Sequence, residues 1–557
     1  MSSQSAIIEC VPNFSEGRDL SVIRQITGAI EQVQGVQLLG VEPGRDTNRT
    51  VVTFAGVPEV VFEAAFRGIR TAAELIDMRR HRGVHPRMGA TDVCPLVPVA
   101  NIGMEEVVRW AERLAQRVGE ELGIPVYLYG HAARQPARRH LSDIRAGEYE
   151  SLSGKLARPE WAPDYGPAVH NERSGAMAIG ARDFLVAYNV NLNTTSVRLA
   201  NAVAFDVRER GRLKRPLEHD VEGQPIRMPG ACRGVKAIGW HIEEYGAAQV
   251  SMNLVDLQAT ALHEAFEACR RSAAARGMRV TGSELVGLIP RRCLLDAGYY
   301  YLKRQRRSAG LPEAEVIRTA VRSLGLDELR PFDPQEKVIE YRLGTPRISR
   351  LALASLAAFS ESVASDRVTP GGGAASAYVA TLGAALGTMV ANLTVHQREQ
   401  DEQWEAFSAV ALRGEALRGD LLQLVDDDAV AFQALLAARR LPQLTEEEKR
   451  IRHAAIQKAL CRATEVPLEV MKKGVAAFEV LAPVLEKGLP PARIDAAVGV
   501  LCVRAAVRGA FFNVEANTAF IQDESFKKDV LKKAVAWQEA AERWENKLLG
   551  RLEQGKG

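Results

Sequence analysis

The amino-acid sequence predicts an α+β N-terminal half, built from two α/β subdomains, followed by an all-α helical-bundle domain. Two observations carry this fold class. In the first half, runs of period two alternate with runs of helical period, in the same order twice over. Past residue 347 strand signals vanish, and Ala- and Leu-rich helical stretches run to the end.

In order, 7–14 reads as a strand, 21–33 as an amphipathic helix, and 36–42 and 50–56 as strands. A longer helix is expected over 58–76, a strand over 92–99, a helix over 104–122 and a strand over 126–130. The core of this run is β-α-β-β-α-β, the split pattern of ferredoxin-like folds. A polar, Pro-rich loop follows around 158–175. The order then returns as strand 184–192, helix 196–210, strands 235–243 and 248–255, helix 261–276 and strand 278–286. Helices over 291–304 and 312–324 close the first half. The stretch DELRPFDPQEKVIEYRLGTP has three prolines and no helical period, and reads as a linker. The expected domains are 1–180, 181–326 and 347–557, with 327–346 as the linker. Pro442, Pro483 and the pair Pro490-Pro491 are expected to break the last helices.

Bulk properties exclude several function classes. The chain has 557 residues, too long for one domain of about 100–200 residues. Its net charge of +3 gives no footprint for nucleic acid or an acidic membrane. Seven cysteines, an odd number with no CxxC spacing, argue against a disulfide framework or structural zinc. A reducing, cytoplasmic compartment and no metal are expected, and the N-terminus lacks a signal-peptide pattern. From Val368 to Val395 no charged side chain occurs, a length that can span a bilayer. Its richness in Gly, Ala, Ser and Thr predicts a buried central helix instead. Small molecules are the expected partners, with no nucleic acid and no membrane. Eight of the ten histidines precede the linker, so the two halves are expected to do different chemistry.

The residues that carry chemistry cluster in short strings. In the first half these are ECVPNFSEG from Glu9, TNRTVVTFAG from Thr47 and RRHRGVHPRMGATDVCP from Arg79. PVYLYG from Pro125, RAGEYE from Arg145, WAPDYGP from Trp161 and LVGLIP from Leu285 follow. The second half has TPGGG from Thr369, LVDDDAVAF from Leu424 and FFNVEAN from Phe511. Together they resemble the formiminotransferase-cyclodeaminase family over nearly the whole chain, in the family's order. The resemblance implies two steps of histidine breakdown. The first half would move a formimino group from N-formimino-L-glutamate to tetrahydrofolate, the co-substrate. The second would cyclise 5-formiminotetrahydrofolate to 5,10-methenyltetrahydrofolate and release ammonia. It also implies a homo-oligomer. A single-activity folate enzyme with one vestigial half, or a non-catalytic folate-binding protein, are the alternatives. Retention of both motif sets argues against them.

Formimino transfer needs a group that takes a proton from the attacking folate nitrogen and gives one to the leaving nitrogen, which suits a histidine near neutral pKa. By residue type His85 and His81 both qualify, and each can equally be a loop histidine bonded to backbone; the resemblance makes His85 the catalytic acid/base. Arg49 and Arg87 are candidates for substrate carboxylates through forked donors, or else members of structural ion pairs. Glu42, at a strand end where the family often has Asp, can polarise the histidine or steady the amidinium. The segment Gly166, Pro167, Ala168, Val169, His170, Asn171, Glu172, Arg173, Ser174 and Gly175 resembles the family's folate-binding segment; Arg173 would meet a folate glutamate, and Asn189 and Asn191 would add pterin contacts. The alternative is a linker between subdomains.

Cyclisation needs an acid for the departing ammonia. Asp426, Asp427 and Asp428 lie on an expected helix, where like charges raise one another's pKa. The resemblance makes Asp428 the catalytic carboxyl and Asp426 a second acidic position; a solvated acidic turn is the alternative. Pro370-Gly371-Gly372-Gly373 opens a helix whose free N–H groups can meet a folate carboxylate, or it serves tight helix packing. Lys303, Arg304, Arg306, Arg307 and Arg318 can hold the charged tail of a polyglutamylated folate, or form a solvated helix end.

Overall fold

The structure, a computed structural model, describes residues 6–45, 47–83, 86–214, 216, 218–219, 225–343, 351–396 and 403–554. They form two compact units, one drawn from 1–296 and 324–345, the other from 297–323 and 346–557.

The first unit begins with β1 (Ile7–Cys10), β2 (Asn13–Phe14), α1 (Leu20–Glu31), β3 (Gln37–Gly44), β4 (Arg49–Gly56), α2 (Pro58–Leu75) and β5 (Thr91–Ala100). β1 and β2 are successive pieces of one line between β4 and β5, so the strands lie as β3-β4-β1/β2-β5, all antiparallel. This is the predicted split pattern. Asp19 caps α1 by accepting from the Ser21 and Val22 N–H groups. Apolar residues at helical spacing on α2, such as Val61, Ala65 and Ile69, bury against Ile8, Cys10 and Phe54 of the sheet.

The chain then adds α3 (Met104–Leu122), β6 (Val126–Gly130), α4 (Leu141–Arg145), α5 (Leu152–Leu156) and β7 (Met177–Ala181). β7 inserts between β5 and β6, parallel to both. The sequence reading has no strand there. MAIGA lacks β-branched alternation, and all five residues are buried, so period two leaves no trace.

The second subdomain repeats the order with β8 (Val186–Leu192), α6 (Val197–Val207), a small hairpin of β9 (Arg212–Leu213) and β10 (Arg227–Met228), β11 (Val235–Ile242), β12 (Ala247–Leu254), α7 (Leu262–Ala274) and β13 (Val280–Val286). Its sheet order, β11-β12-β8-β13, matches that of the first four-strand set.

After α8 (Arg291–Arg304) and α9 (Glu313–Leu324), the stretch read as a structureless linker holds two short helices, α10 (Pro334–Lys337) and α11 (Ile339–Arg342). Val338 and Ile339 are fully buried, and Val338 bridges to Ile289. Asp333 caps α10, which four-residue windows cannot show as a period. The segment 297–323, expected to close the first half, clusters with the second unit. There Asn392 donates to the Gly310 carbonyl (2.9 Å), Ser408 accepts from the Ala309 N–H (2.9 Å), and a Cβ at Gly310 would lie 2.1 Å from the Ala411 carbonyl carbon.

The second unit continues with α12 (Leu356–Ala364), α13 (Gly372–Val395), α14 (Trp404–Arg439), α15 (Glu446–Lys487), α16 (Arg493–Thr518) and α17 (Glu524–Gln554). α13 packs against α14, α15 and α16. Its small residues permit this: a Cβ at Gly383 would meet the Val503 side chain at 2.5 Å and the Gly499 carbonyl at 2.8 Å. Thr381, Thr388 and Thr394 satisfy their buried hydroxyls on carbonyls one turn back. Pro483 does not break its helix as expected. α15 runs through both Pro467 and Pro483, where burial against neighbouring helices offsets the lost hydrogen bond, about 3 kcal/mol for a proline in a free helix.

Candidate active sites

In the first unit the histidine motif is held by Asn48, a buried residue in the left-handed region (φ 47°). Its side chain accepts from the Gly17 N–H (3.0 Å) and donates to the Arg82 carbonyl (3.0 Å), while its own carbonyl accepts from His81 Nε2 (2.8 Å). Gly83 lies so close that a Cβ would stand 2.2 Å from the Thr47 carbonyl oxygen. His85 lies outside the described residues, but the chain on either side of it is fixed.

His81 is buried, and Arg87 Nε donates to its Nδ1 (3.2 Å). With Nε2–H donating to Asn48, both ring nitrogens are engaged in one tautomer. Burial, helped by the Arg87 charge, holds its pKa below the usual range, so the ring is neutral. His81 is therefore a fixed spacer between Asn48 and Arg87 rather than a free acid/base. Arg87, a candidate for a substrate carboxylate or a structural ion pair, makes ion pairs here. Its guanidinium forks onto Glu150 (2.9 and 2.6 Å) and reaches Glu148 (2.8 Å), both from the RAGEYE string. In the same string Arg145 pairs with Asp92, which is fully buried and accepts from the Met88 N–H (3.0 Å). An open cleft of about 400 Å³ borders Arg82, Gly83, Arg87, Gly147, Glu148 and Glu150.

Arg49 donates to Asn13 Oδ1, and burial brings its pKa down to about 10. Glu42 is exposed on β3, opposite Val51 of β4.

The segment 166–175 joins this cluster at its C-terminal end. Gly175 (φ 69°) leaves only 2.1 Å between a Cβ position and the Met88 carbonyl oxygen, and the Ala90 N–H donates to Ser174. Tyr149 donates to the Glu172 carbonyl (2.5 Å), and its ring meets that of His170 at 5.3 Å. Asn171 accepts from the Ser174 N–H, and Pro167, Ala168 and Val169 are exposed. Gly166 packs on α3, where a Cβ would meet the Ile124 carbonyl at 2.3 Å. Arg173 departs from the expected contact with a folate glutamate: its guanidinium donates to the Ala73 and Glu74 carbonyls at the end of α2, where a cation complements the helix dipole. Asn189 and Asn191 are buried in a polar network: Asn189 donates to Glu284 (3.0 Å), and Gln249 donates to Asn191 (2.6 Å) and Glu284 (3.1 Å).

In the second unit the three aspartates separate, because each helical step turns about 100°. Asp426 is 3% exposed; its Oδ1 accepts from the Leu351 N–H (3.1 Å), and its Oδ2 is enclosed without a partner among the described residues. It faces the core and holds the chain before α12. Asp427 accepts from Gln423 (3.1 Å) and lies 3.9 Å from Arg462. Asp428 lies on the first turn of α13, accepting from the Ala374 N–H; a Cβ at Gly373 would fall 2.1 Å from its Oδ1. Burial raises its pKa, and the Ala374 bond pulls the other way. The cause is thus desolvation, not the neighbouring aspartates. The glycine-rich start of α13 accordingly receives a carboxyl of the protein itself, where a folate carboxylate was expected.

Sequence reasoning missed Asn48, Glu148 and Glu150 as site-forming residues. The strings containing them were visible, but their partners lie far away in the chain.

Family models match over residues 7–182 (formiminotransferase domain, N-terminal subdomain), 187–344 (formiminotransferase domain) and 355–536 (formiminotransferase-cyclodeaminase). The formimidoyltransferase-cyclodeaminase of Gallus gallus is 43% identical over 548 residues, 98% of this chain and 99% of that protein. The glutamate formimidoyltransferase of Thermoplasma acidophilum is 43% identical over 300 residues, 54% of this chain and 93% of its own length. The methenyltetrahydrofolate cyclohydrolase of Methylorubrum extorquens is 38% identical over 174 residues, 31% of this chain and 84% of its own length.

Proposed function

The chain belongs to the formimidoyltransferase-cyclodeaminase family, and from that premise we propose which of its residues run the two folate reactions. It is a bifunctional enzyme: it transfers the formimino group of N-formimino-L-glutamate to tetrahydrofolate, then closes the product to 5,10-methenyltetrahydrofolate with loss of ammonia.

In the transfer, folate N5 attacks the amidine carbon, N5 loses a proton and the departing glutamate nitrogen gains one. His85 moves that proton. Asn48, His81 and Arg87 hold the chain on either side of it, and Arg49 is left as the candidate for a substrate carboxylate. The segment 166–175 borders the folate.

In the cyclisation, N10 attacks the formimino carbon, the bond to the terminal nitrogen breaks, and Asp428 gives that nitrogen its proton. The observation that carries this assignment is the half-buried Asp428 carboxyl against Gly373, where desolvation raises its pKa. Supplying formiminoglutamate with tetrahydrofolate, and separately 5-formiminotetrahydrofolate, while following ammonia and methenyl absorbance, tests the two assignments. Loss of both activities in either single variant, His85→Ala or Asp428→Asn, would overturn the separation of the sites.

Acid and base groups suffice for both steps, so no metal is invoked. The free thiols fit a reducing cytoplasm. Exposed Ile494, Val498 and Leu501 follow one another along α16 at steps of four and three, which fits contact with a second copy. Exposed Lys303, Arg304 and Arg306 suit the tail of a polyglutamylated folate; equal progress curves for mono- and polyglutamates at low salt would count against that.

A further inference from the structure

Asn513, from the FFNVEAN string, sits on α16 beside the turn of α13 that Asp428 touches. The two helices come close because both are small there. A Cβ at Gly509 would lie 2.5 Å from Ser376 Oγ, and that hydroxyl donates to the Gly372 carbonyl (2.8 Å). One turn along α16, the Asn513 amide stands over Gly372, with Nδ2 3.7 Å and Oδ1 3.9 Å from the Cβ position. Asp428 stands over the next residue, Gly373, from α14. The carboxyl and the amide thus approach neighbouring glycines from two different helices, and Gly372 is exposed, so this side of the turn is open.

The amide is also oriented. Nδ2 donates to the Gly509 carbonyl one turn back (2.9 Å), which fixes the plane and leaves Oδ1 as an acceptor with no hydrogen-bond partner among the described residues. The second Asn of the string differs: Asn517 donates to the Ala463 carbonyl (2.9 Å) and ties α16 to α15.

We propose that Asn513 is a substrate-positioning residue of the cyclodeaminase site, its Oδ1 accepting from the folate N10–H. This rests on the assignment of Asp428 as the acid. Cyclisation needs the N10 lone pair aimed at the formimino carbon while the terminal nitrogen faces the acid. A neutral acceptor on N10–H sets that rotation, and being uncharged it leaves the proton of Asp428 where it is. N10 then bonds to carbon, its proton leaves to solvent, and the bond from that carbon to the terminal amino nitrogen breaks as Asp428 protonates that nitrogen, which departs as ammonia.

The test uses the full-length protein with supplied 5-formiminotetrahydrofolate. Asn513→Leu keeps the volume and removes the acceptor; Asn513→Asp keeps an acceptor. The expected result for Asn513→Leu is a fall in kcat of about 10- to 100-fold, with KM within about threefold, an unchanged Tm and an unchanged transferase rate. Asn513→Asp should regain most of the loss. In Asn513→Leu the pH at which the residual rate declines should stay that of the wild type, because no charge near the acid has changed. A wild-type kcat in Asn513→Leu overturns the proposal, and so do equal losses in both variants with a lowered Tm. Failure of the wild type to form methenyltetrahydrofolate would instead overturn the functional assignment on which it rests.

Discussion

The histidine loop of the first unit is held in place by long polar side chains, whereas the aspartate of the second is held by side chains that are missing. Around His81, six polar groups from four stretches of chain interlock: Asn48, His81, Arg87, Glu148, Glu150 and the Gly17 N–H. Around Asp428, Gly373 simply leaves room, and a single N–H, that of Ala374, donates to the carboxyl. The two arrangements fail differently. Removing one partner from a buried polar network leaves the others unsatisfied. Adding one methyl group to the glycine turn expels the acid while leaving the helix intact.

Four measurements sharpen that contrast. The largest effects belong to the proton-transfer groups. His85→Ala should lower formimino transfer about 10²- to 10⁴-fold, with cyclodeaminase activity on supplied substrate unchanged; Asp428→Asn should do the reverse. Near-normal transfer in the first variant removes His85 from the mechanism. Because Asp428 must donate a proton, wild-type cyclisation should decline as pH rises through its raised pKa, whereas the residual rate of Asp428→Asn should not follow that decline.

Gly373→Ala comes next. The clashing atom is the far end of the Asp428 side chain, which can swing away, so the fold should survive. Cyclodeaminase activity should fall roughly 100-fold through the misplaced acid, with transfer intact. Full activity in Gly373→Ala shows that the close approach is dispensable.

Arg87→Lys is milder. A lysine cannot serve Glu148, Glu150 and His81 together, because its ammonium lacks the planar fork. Transfer should fall about tenfold and stability by about 1–3 kcal/mol, since the two glutamates are partly exposed and can be hydrated. A neutral result breaks the claim that the network fixes the histidine loop.

The smallest effect on catalysis is expected from Glu9, which is buried on β1 with its pKa pushed up to about 7 by burial, against the pull of Arg182. The folded state binds the Glu9 proton more tightly than the unfolded one. Its stabilising contribution is complete below the ordinary glutamate range and is lost as pH rises from about 4.5 to about 7. Glu9→Gln should therefore raise stability at pH 8 by up to about 3 kcal/mol and flatten its pH dependence. A denaturation series from pH 5 to pH 8 reads this directly, and identical slopes for the two proteins would exclude it.

Much of this was legible in the sequence, for identifiable reasons. Strands with one buried face and helices with one apolar stripe leave their period in the residues, so α3 and β6 were readable to their ends. The string around His81 marked the candidate transfer site, and LVDDDAVAF contains the proposed acid. Other features leave no period. β7 is buried on both faces, α10 and α11 are each four residues long, and Pro483 sits inside the continuous helix α15.

By itself the sequence determined the order of elements, the repeat of the split pattern, the change to an all-α second half and the strings that hold the chemistry. Only the tertiary structure decided what each polar side chain does. Arg87 and Arg173 were indistinguishable from ligand-binding arginines until Glu150 and the carbonyls ending α2 were brought to them. Three consecutive aspartates became a core anchor, a partner of Gln423 and a half-buried carboxyl against the start of α13 because a helix aims successive residues at different neighbours. A pKa is set by what surrounds a group, and what surrounds Asp428 is a glycine from another helix, 55 residues earlier in the chain (428 − 373).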